Sequence, residues 1–295
     1  GFFEPWLDSK HTSFGINLYN KLLYRFSSSF FGQTSSGNSD YDERRKGGNL
    51  TLSRPFGKSN RGYATIRSET VDTDLENLTS PIAANGSVNS GTLRFTRDIR
   101  DSVIDPFNGG YNSYAVELGT ADFRTETEST KESNFFSKYS VDLRRYYSKG
   151  GLRKKIDEQR KRLAFRLMAG SLSGDVPFFE QYFLGGAESL RGYEEDRFWG
   201  KNMVLASAEY RMPVAKSLTG VAFVDYGDAW GAPIEFRENG DGTPLVGDFE
   251  QHESFKGNFG YGIGIRVITP IGPLRLDYGI GKDGSRAHFS IGQAF

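Results

Sequence analysis

Apolar and polar residues alternate with a period of two through much of this chain. That is the spacing of strands whose two faces meet different surroundings. The pattern is clearest near the C-terminus. Phe259, Tyr261, Ile263, Ile265 and Val267 share one face, and Gly260, Gly262, Gly264 and Arg266 the other. Leu274, Leu276, Tyr278 and Ile280 oppose Arg275, Asp277, Gly279 and Gly281, while Phe289, Ile291 and Phe295 oppose His288, Ser290 and Gly292. Further upstream, Leu163, Phe165, Leu167 and Ala169 oppose Arg162, Ala164, Arg166 and Met168. Strands are predicted over 12–24, 49–56, 63–71, 92–97, 111–120, 136–147, 162–169, 203–212, 218–226, 259–268, 274–280 and 287–295. Phe2, Phe3, Glu4, Pro5 and Trp6 read as the end of one more. These are about a dozen segments, each near the ~9–11 residues a tilted membrane strand needs.

The two faces decide the fold class. A sandwich core would make the inward face apolar, yet here the face opposite the apolar one is glycine and charge. That suits a wet lumen with something packed close to the backbone, and an apolar exterior facing lipid. Aromatics near the strand ends fit interface girdles. The expectation is an all-β chain folded as a transmembrane antiparallel β-barrel. Short turns alternate with long polar loops at 27–43, 72–90, 121–132 and 231–256, the asymmetry of an outer-membrane barrel. The last of these contains the turn signal Asn239-Gly240-Asp241-Gly242. The basic stretch 149–161 reads as a solvated loop.

One stretch, 183–196, follows neither a strand nor a helix pattern. Gly185 and Gly186 allow backbone angles other residues resist, and Gly192 directly follows Arg191. A loop built this way folds back tightly and holds one cation at a defined place. It reads as a re-entrant loop tucked into the lumen, with Arg191 as its anchor. Parity supplies candidate partners. Glu209 shares a face with Ser207 and Arg211, and Asp225 shares one with Thr219, Val221 and Phe223. By charge both should face the lumen, on the two strands that follow the loop. They read as partners of Arg191 or as ordinary lumenal charges.

Composition narrows the chemistry. Lys and Arg number 37, as do Asp and Glu, so the formal net charge is zero; a nucleic-acid partner would call for a basic excess. Hydrophobic residues reach only 37%, with 36 glycines and 14% aromatics. No run approaches the ~20 apolar residues of a spanning helix, but a barrel shows lipid only half its strand positions. With no cysteine, disulfides and thiol chemistry are excluded. No secretory signal is visible at the start. His11, His252 and His288 lack metal-ligand spacing. Ser189 forms no nucleophile elbow, and Asp241 and Asp248 lack the full calcium-loop pattern. The glycines of 260–264 only superficially mimic a dinucleotide fingerprint. An outer-membrane lipase would need a lipid-facing Ser/His pair, whereas His288 points to the lumen. No catalytic residue, cofactor or metal is expected.

Gly185-Gly186 followed by Leu190-Arg191-Gly192-Tyr193 resembles the loop motif of the BamA-type outer-membrane β-barrel assembly family. That family also holds TamA-like and two-partner secretion transporters and organellar sorting and import barrels. Further resemblances follow in order: Glu4-Pro5-Trp6; Thr96-Arg97-Asp98 with Arg100-Asp101; Pro106 and Gly109-Gly110; Ala208-Glu209-Tyr210-Arg211-Met212-Pro213; Phe223-Val224-Asp225-Tyr226-Gly227; Thr269-Pro270-Ile271-Gly272-Pro273-Leu274; and Phe295. The resemblance implies contacts from Arg191 to Asp225 and Glu209, and a C-terminal recognition signal in Phe289, Ile291 and Phe295. It also implies a sixteen-stranded barrel, so 1–295 reads as a C-terminal barrel domain lacking its first strands and upstream POTRA domains; a smaller natural barrel is the alternative. The implied activity is insertion of β-barrel clients into the Gram-negative outer membrane with periplasmic assembly lipoproteins or translocation partners, in contact with outer-membrane lipid. No bond is made or broken, so no enzyme is expected. The rival readings are secretion of an extended polypeptide and a passive pore.

Overall fold

The alternating segments pair in sequence order, as short connections between antiparallel neighbours dictate. The computed structural model describes residues 1–25, 41–73, 85–124, 132–150, 160–233, 252–269 and 272–295. Its strands are β1 Phe2–Glu4, β2 Ser13–Arg25, β3 Tyr41–Phe56, β4 Asn60–Thr73, β5 Asn85–Asp98, β6 Gly109–Arg124, β7 Glu132–Ser148 and β8 Arg162–Ser173. After a 3-10 turn at Phe178–Glu180 come β9 Tyr182–Leu184, β10 Phe198–Gly200, β11 Asn202–Ala215, β12 Leu218–Trp230, β13 Asn258–Thr269, β14 Gly272–Gly281 and β15 Gly284–Ile291. Thirteen strands make one antiparallel sheet in chain order, from which β9 and β10 are absent. Those two pair with each other and form the stem of the loop between β8 and β11.

The faces are those the alternation predicts. Leu167 on β8, Ile263 on β13 and Phe289 on β15 are exposed, while Glu209, Asp225, Arg266, Arg275, Asp277 and His288 are buried on the opposite face. The wall must curl, because single segments touch strands far apart in the ladder. The loop between β8 and β11 reaches Arg45 of β3 through Glu180 and His288 of β15 through Gly192. The last residues reach Asp105 before β6 through Gln293, at 3.0 Å, and Arg211 of β11 through the Phe295 carbonyl, at 3.2 Å. Only a sheet wrapped about a lumen brings these groups together.

Several expectations need correction. Strands of the sheet run from 17 residues in β7 to 3 in β1, not uniformly near membrane-spanning length. β3 begins at Tyr41 and β5 at Asn85, where loops were expected. Charged or small polar residues occupy both faces there, so alternation vanishes although pairing continues. The lumen is drier than expected. Towards the long-loop end, Val176, Phe179, Tyr182, Leu184, Leu190, Tyr193 and Phe198 of the loop region pack against Val71, Val88, Phe136, Leu172, Met203 and Leu205 of the wall.

The last strand also differs. β15 stops at Ile291, Gly292 takes a φ of 107°, and its N–H donates to Pro273 O at 2.7 Å. Parity ends there, so Phe295 turns inward to 4% exposure beside Tyr146 and Ala164. Phe289 and Ile291 do face outward; Phe295 does not join them. The turn at 239–242, Asp241, Asp248, Pro270, Ile271 and positions 151–159 of the basic stretch lie outside the described residues.

Candidate functional site

The loop enters the lumen on an aromatic stem. Phe178 packs edge-on against Phe183 and Trp199, with ring centroids 5.1 and 5.4 Å apart. Gly185 and Gly186 then take φ of 134° and 89°, which a Cβ would strain. The Ser189 hydroxyl closes the bend, accepting from Gly185 N at 2.9 Å and donating to Gly185 O at 2.7 Å. Glu195 accepts from Ala187 N at 2.8 Å. Its carboxyl is pushed up to about 7, chiefly by burial and further by Asp196 and Glu188.

Arg191 lies at the inner end of this bend, 1% exposed. Its Nε donates to Asp225 Oδ2 at 2.7 Å and its Nη2 to Asp225 Oδ1 at 2.9 Å. This is the two-bond fork that guanidinium and carboxylate geometry favour. The Arg191 main-chain N–H also donates to Asp225, at 3.2 Å. Nη1 donates to Glu209 and, at 3.3 Å, to Asp277. The guanidinium sits 3.6 Å from the ring centroid of Phe223, a stacking that desolvation strengthens. The three sequence candidates, Arg191, Asp225 and Glu209, therefore meet in one place.

The alternation did not single out the rest of the network. Arg211 Nε donates to Glu209 at 2.7 Å. Arg266 donates to Asp277, and its Nη2 approaches Glu209 at 3.4 Å. Arg275 Nε lies 3.4 Å from Asp277, and Nη2 donates to the Ala187 carbonyl. Four arginines thus share three carboxylates, and all seven side chains are almost wholly buried. Asp277, Arg266 and Arg275 carried one usable signal: charges on the glycine-bearing face of two late strands.

Those glycines shape the socket. A Cβ on Gly279 would come within 2.5 Å of Gly192 N, one on Gly192 within 2.7 Å of Ile280 C, and one on Gly260 would strike the Arg191 carbonyl. Gly260 is the register neighbour of Asp225, so the wall is thinnest where the arginine docks. Gly192 N donates to His288 Nε2 at 3.1 Å. Tyr193 OH donates to Phe259 O at 2.9 Å and accepts from Lys282 N at 3.1 Å. Leu190 is fully buried. Leu190, Arg191, Gly192 and Tyr193 are thus engaged with the wall, while Gly185 and Gly186 shape the bend within the loop. Phe289 and Ile291 lie apart from this network, whereas Phe295 touches its edge, its carbonyl accepting from Arg211 Nη2 at 3.2 Å. The Phe295 ring also packs 5.4 Å from the Arg211 guanidinium.

The arrangement holds a chain segment against a wall. Comparison with known proteins fits the geometry. Outer envelope protein 80, chloroplastic, of Arabidopsis thaliana is 36% identical over 146 residues, 48% of this chain and 19% of that protein. Outer membrane protein assembly factor BamA of Nitratidesulfovibrio vulgaris (strain Hildenborough) is 26% identical over 280 residues, 87% of this chain and 32% of that protein. The chain thus spans about a third or less of these relatives. The crystal structure of BamA from Haemophilus ducreyi lacking POTRA domains 1-3 superposes with a TM-score of 0.69 at 16% identity, covering 99% of this chain and 59% of that one. An outward apolar wall and an arginine-anchored loop in the lumen accompany a match to the Omp85 superfamily domain model over residues 1–295, and the chain belongs to that superfamily.

Proposed function

We propose that this barrel is the membrane domain of an outer-membrane assembly factor, which folds and inserts β-barrel proteins without making or breaking a covalent bond. The observation that carries the reading is the unequal wall around a docked lumenal loop. β7 has 17 residues, whereas β15, at one edge of the thirteen-stranded sheet, has only 8, so this edge is held by a short ladder. An incoming strand cannot enter hydrocarbon with its backbone unpaired; a weakly held edge offers it a template by β-augmentation. The loop is buried against wall residues of both halves of the sheet, which argues against a passive pore. The relative named as an assembly factor supports the same reading. Clients would be unfolded outer-membrane β-barrel proteins, with periplasmic assembly lipoproteins as helpers and outer-membrane lipid as solvent. The location is an integral place in the bacterial outer membrane. The likeness to a chloroplast outer-envelope protein supports an organellar outer membrane as the second location.

The test is reconstitution in liposomes, followed by addition of an unfolded outer-membrane barrel protein from denaturant. The proposal expects heat-resistant, protease-protected client to accumulate faster than in empty liposomes, and Arg191→Ala to abolish the gain. Equal rates with and without the barrel refute it. Passage of an extended polypeptide into the liposome would favour a secretion transporter, and a large steady conductance a pore.

A further inference from the structure

A second set of buried charges lies in the other half of the wall, on the same loop but away from Arg191. Glu180 closes the 3-10 turn that precedes β9 and is 2% exposed. Its carboxylate accepts from Arg45 Nη1 at 3.3 Å and from Arg67 Nη1 and Nη2, both at 3.1 Å. Lys138 Nζ stands 4.0 Å away. Main-chain atoms of the loop are captured as well. Arg45 Nη2 donates to the Phe179 carbonyl at 2.6 Å, and Lys138 Nζ to the Glu180 carbonyl at 2.8 Å. Tyr182 continues the contact, its hydroxyl donating to Tyr139 O at 2.7 Å. Its ring lies where a Cβ on Gly170 would be, 2.5 Å from the nearest ring atom.

We propose that Glu180 is a second anchor of the lumenal loop, so that the loop is a strut tying β3, β4 and β7 to β11, β12 and β14 across the lumen. The two wall arginines do not need Glu180 as a counter-ion. Arg45 already pairs with Glu43 and Glu69, and Arg67 with Glu69 and Glu117. The fourth carboxylate is brought by the loop, and it is placed where both arginines and the lysine converge. Burial alone would raise the Glu180 carboxyl, but Arg67, Lys138 and Arg45 outweigh it and hold it down at about 2; it is docked as the anion. Two carbonyls bound by the same cations show that the wall grips the loop rather than merely neutralising one charge. Separating the two halves of the wall must then break the contacts of Glu180 or those of Arg191. The two anchors act in series, whatever the client.

The chain contains no cysteine, so two introduced thiols can be labelled cleanly. Thr70→Cys on β4 and Ser285→Cys on β15 place spin labels in the two halves of the wall, and pulsed electron resonance on the barrel in liposomes reads their separation. The expected result is a narrow distribution that Glu180→Gln broadens towards longer distances. Arg191→Ala should broaden it likewise, and the double variant should add nothing further, because a strut released at one end carries no load. Glu69→Gln removes a carboxylate of the same cluster that does not touch the loop, and should leave the distribution narrow. Glu180→Asp keeps the charge but shortens its reach; it should broaden the distribution part-way, and it carries the test if the glutamine variant does not fold. An unchanged distribution in the Glu180 variants overturns the proposal. So does equal broadening by Glu69→Gln, or broadening that sums in the double variant.

Discussion

Arg191→Ala should be the most damaging single change in the lumenal network, and the structure says why. Its three carboxylate partners are not equally dependent on it. Glu209 keeps Arg211 and Arg266, and Asp277 keeps Arg266 and Arg275. Among the described residues Asp225 pairs with no other cation. Its buried charge is therefore stranded, and breaking a buried pair by removing one partner costs about 3–5 kcal/mol. Loss of the stack on Phe223 adds ~1 kcal/mol. Asp225→Ala is milder, because Arg191 still has Glu209 and Asp277; losing charge-assisted hydrogen bonds costs about 1.5–3 kcal/mol. In the double variant no carboxylate is stranded. Its cost should fall below the sum of the singles by ~2–3 kcal/mol, within the range for residues of one network. Urea unfolding of the purified barrel measures the cycle, read by the gel mobility of heated and unheated samples. Single effects that add to within ~0.5 kcal/mol would refute the anchor.

Three other expectations follow from the wall and the loop. A lysine at Ile263 or Leu276, both outward-facing, should cost about 2–4 kcal/mol if near the bilayer midplane; folding titrations in liposomes in which a lysine at inward-facing Gly262 behaves identically would contradict the assigned faces. Gly279→Ala should push the added Cβ into Gly192 at a cost of about 1–3 kcal/mol, seen as faster protease cleavage within 185–197; unchanged cleavage would mean that the socket has slack. Because burial raises the Glu195 carboxyl from its usual 4.5 to about 7, the folded loop keeps a proton that the unfolded chain has already lost in that window, so stability falls as pH rises through it. Glu195→Gln should flatten that slope in melting curves recorded across the window, and a wild-type melting temperature that rises over the same range would rule the assignment out.

Which face of each strand looks outward is legible in the sequence, because alternation depends only on the pleat. The sequence therefore placed Ile263 against lipid and Glu209 and Asp225 in the lumen, and it singled out Arg191 through the glycines around it. Parity gives a face but not a depth or a partner across the lumen. Asp277, Arg266 and Arg275 join Arg191 only because the curled wall carries β13 and β14 round to the loop. Glu180 finds Arg45 and Arg67 for the same reason, from strands far away in the chain. The polar starts of β3 and β5 were hidden because strands with polar residues on both faces lose their period while keeping their hydrogen bonds. Phe295 shows where local pattern stops counting. The parity that would send it outward ends at Gly292, and a buried contact beside Arg211, Tyr146 and Ala164 decides its side of the wall. Such contacts exist only once the ladder has closed distant segments upon one another, so no window of neighbouring residues could have contained them.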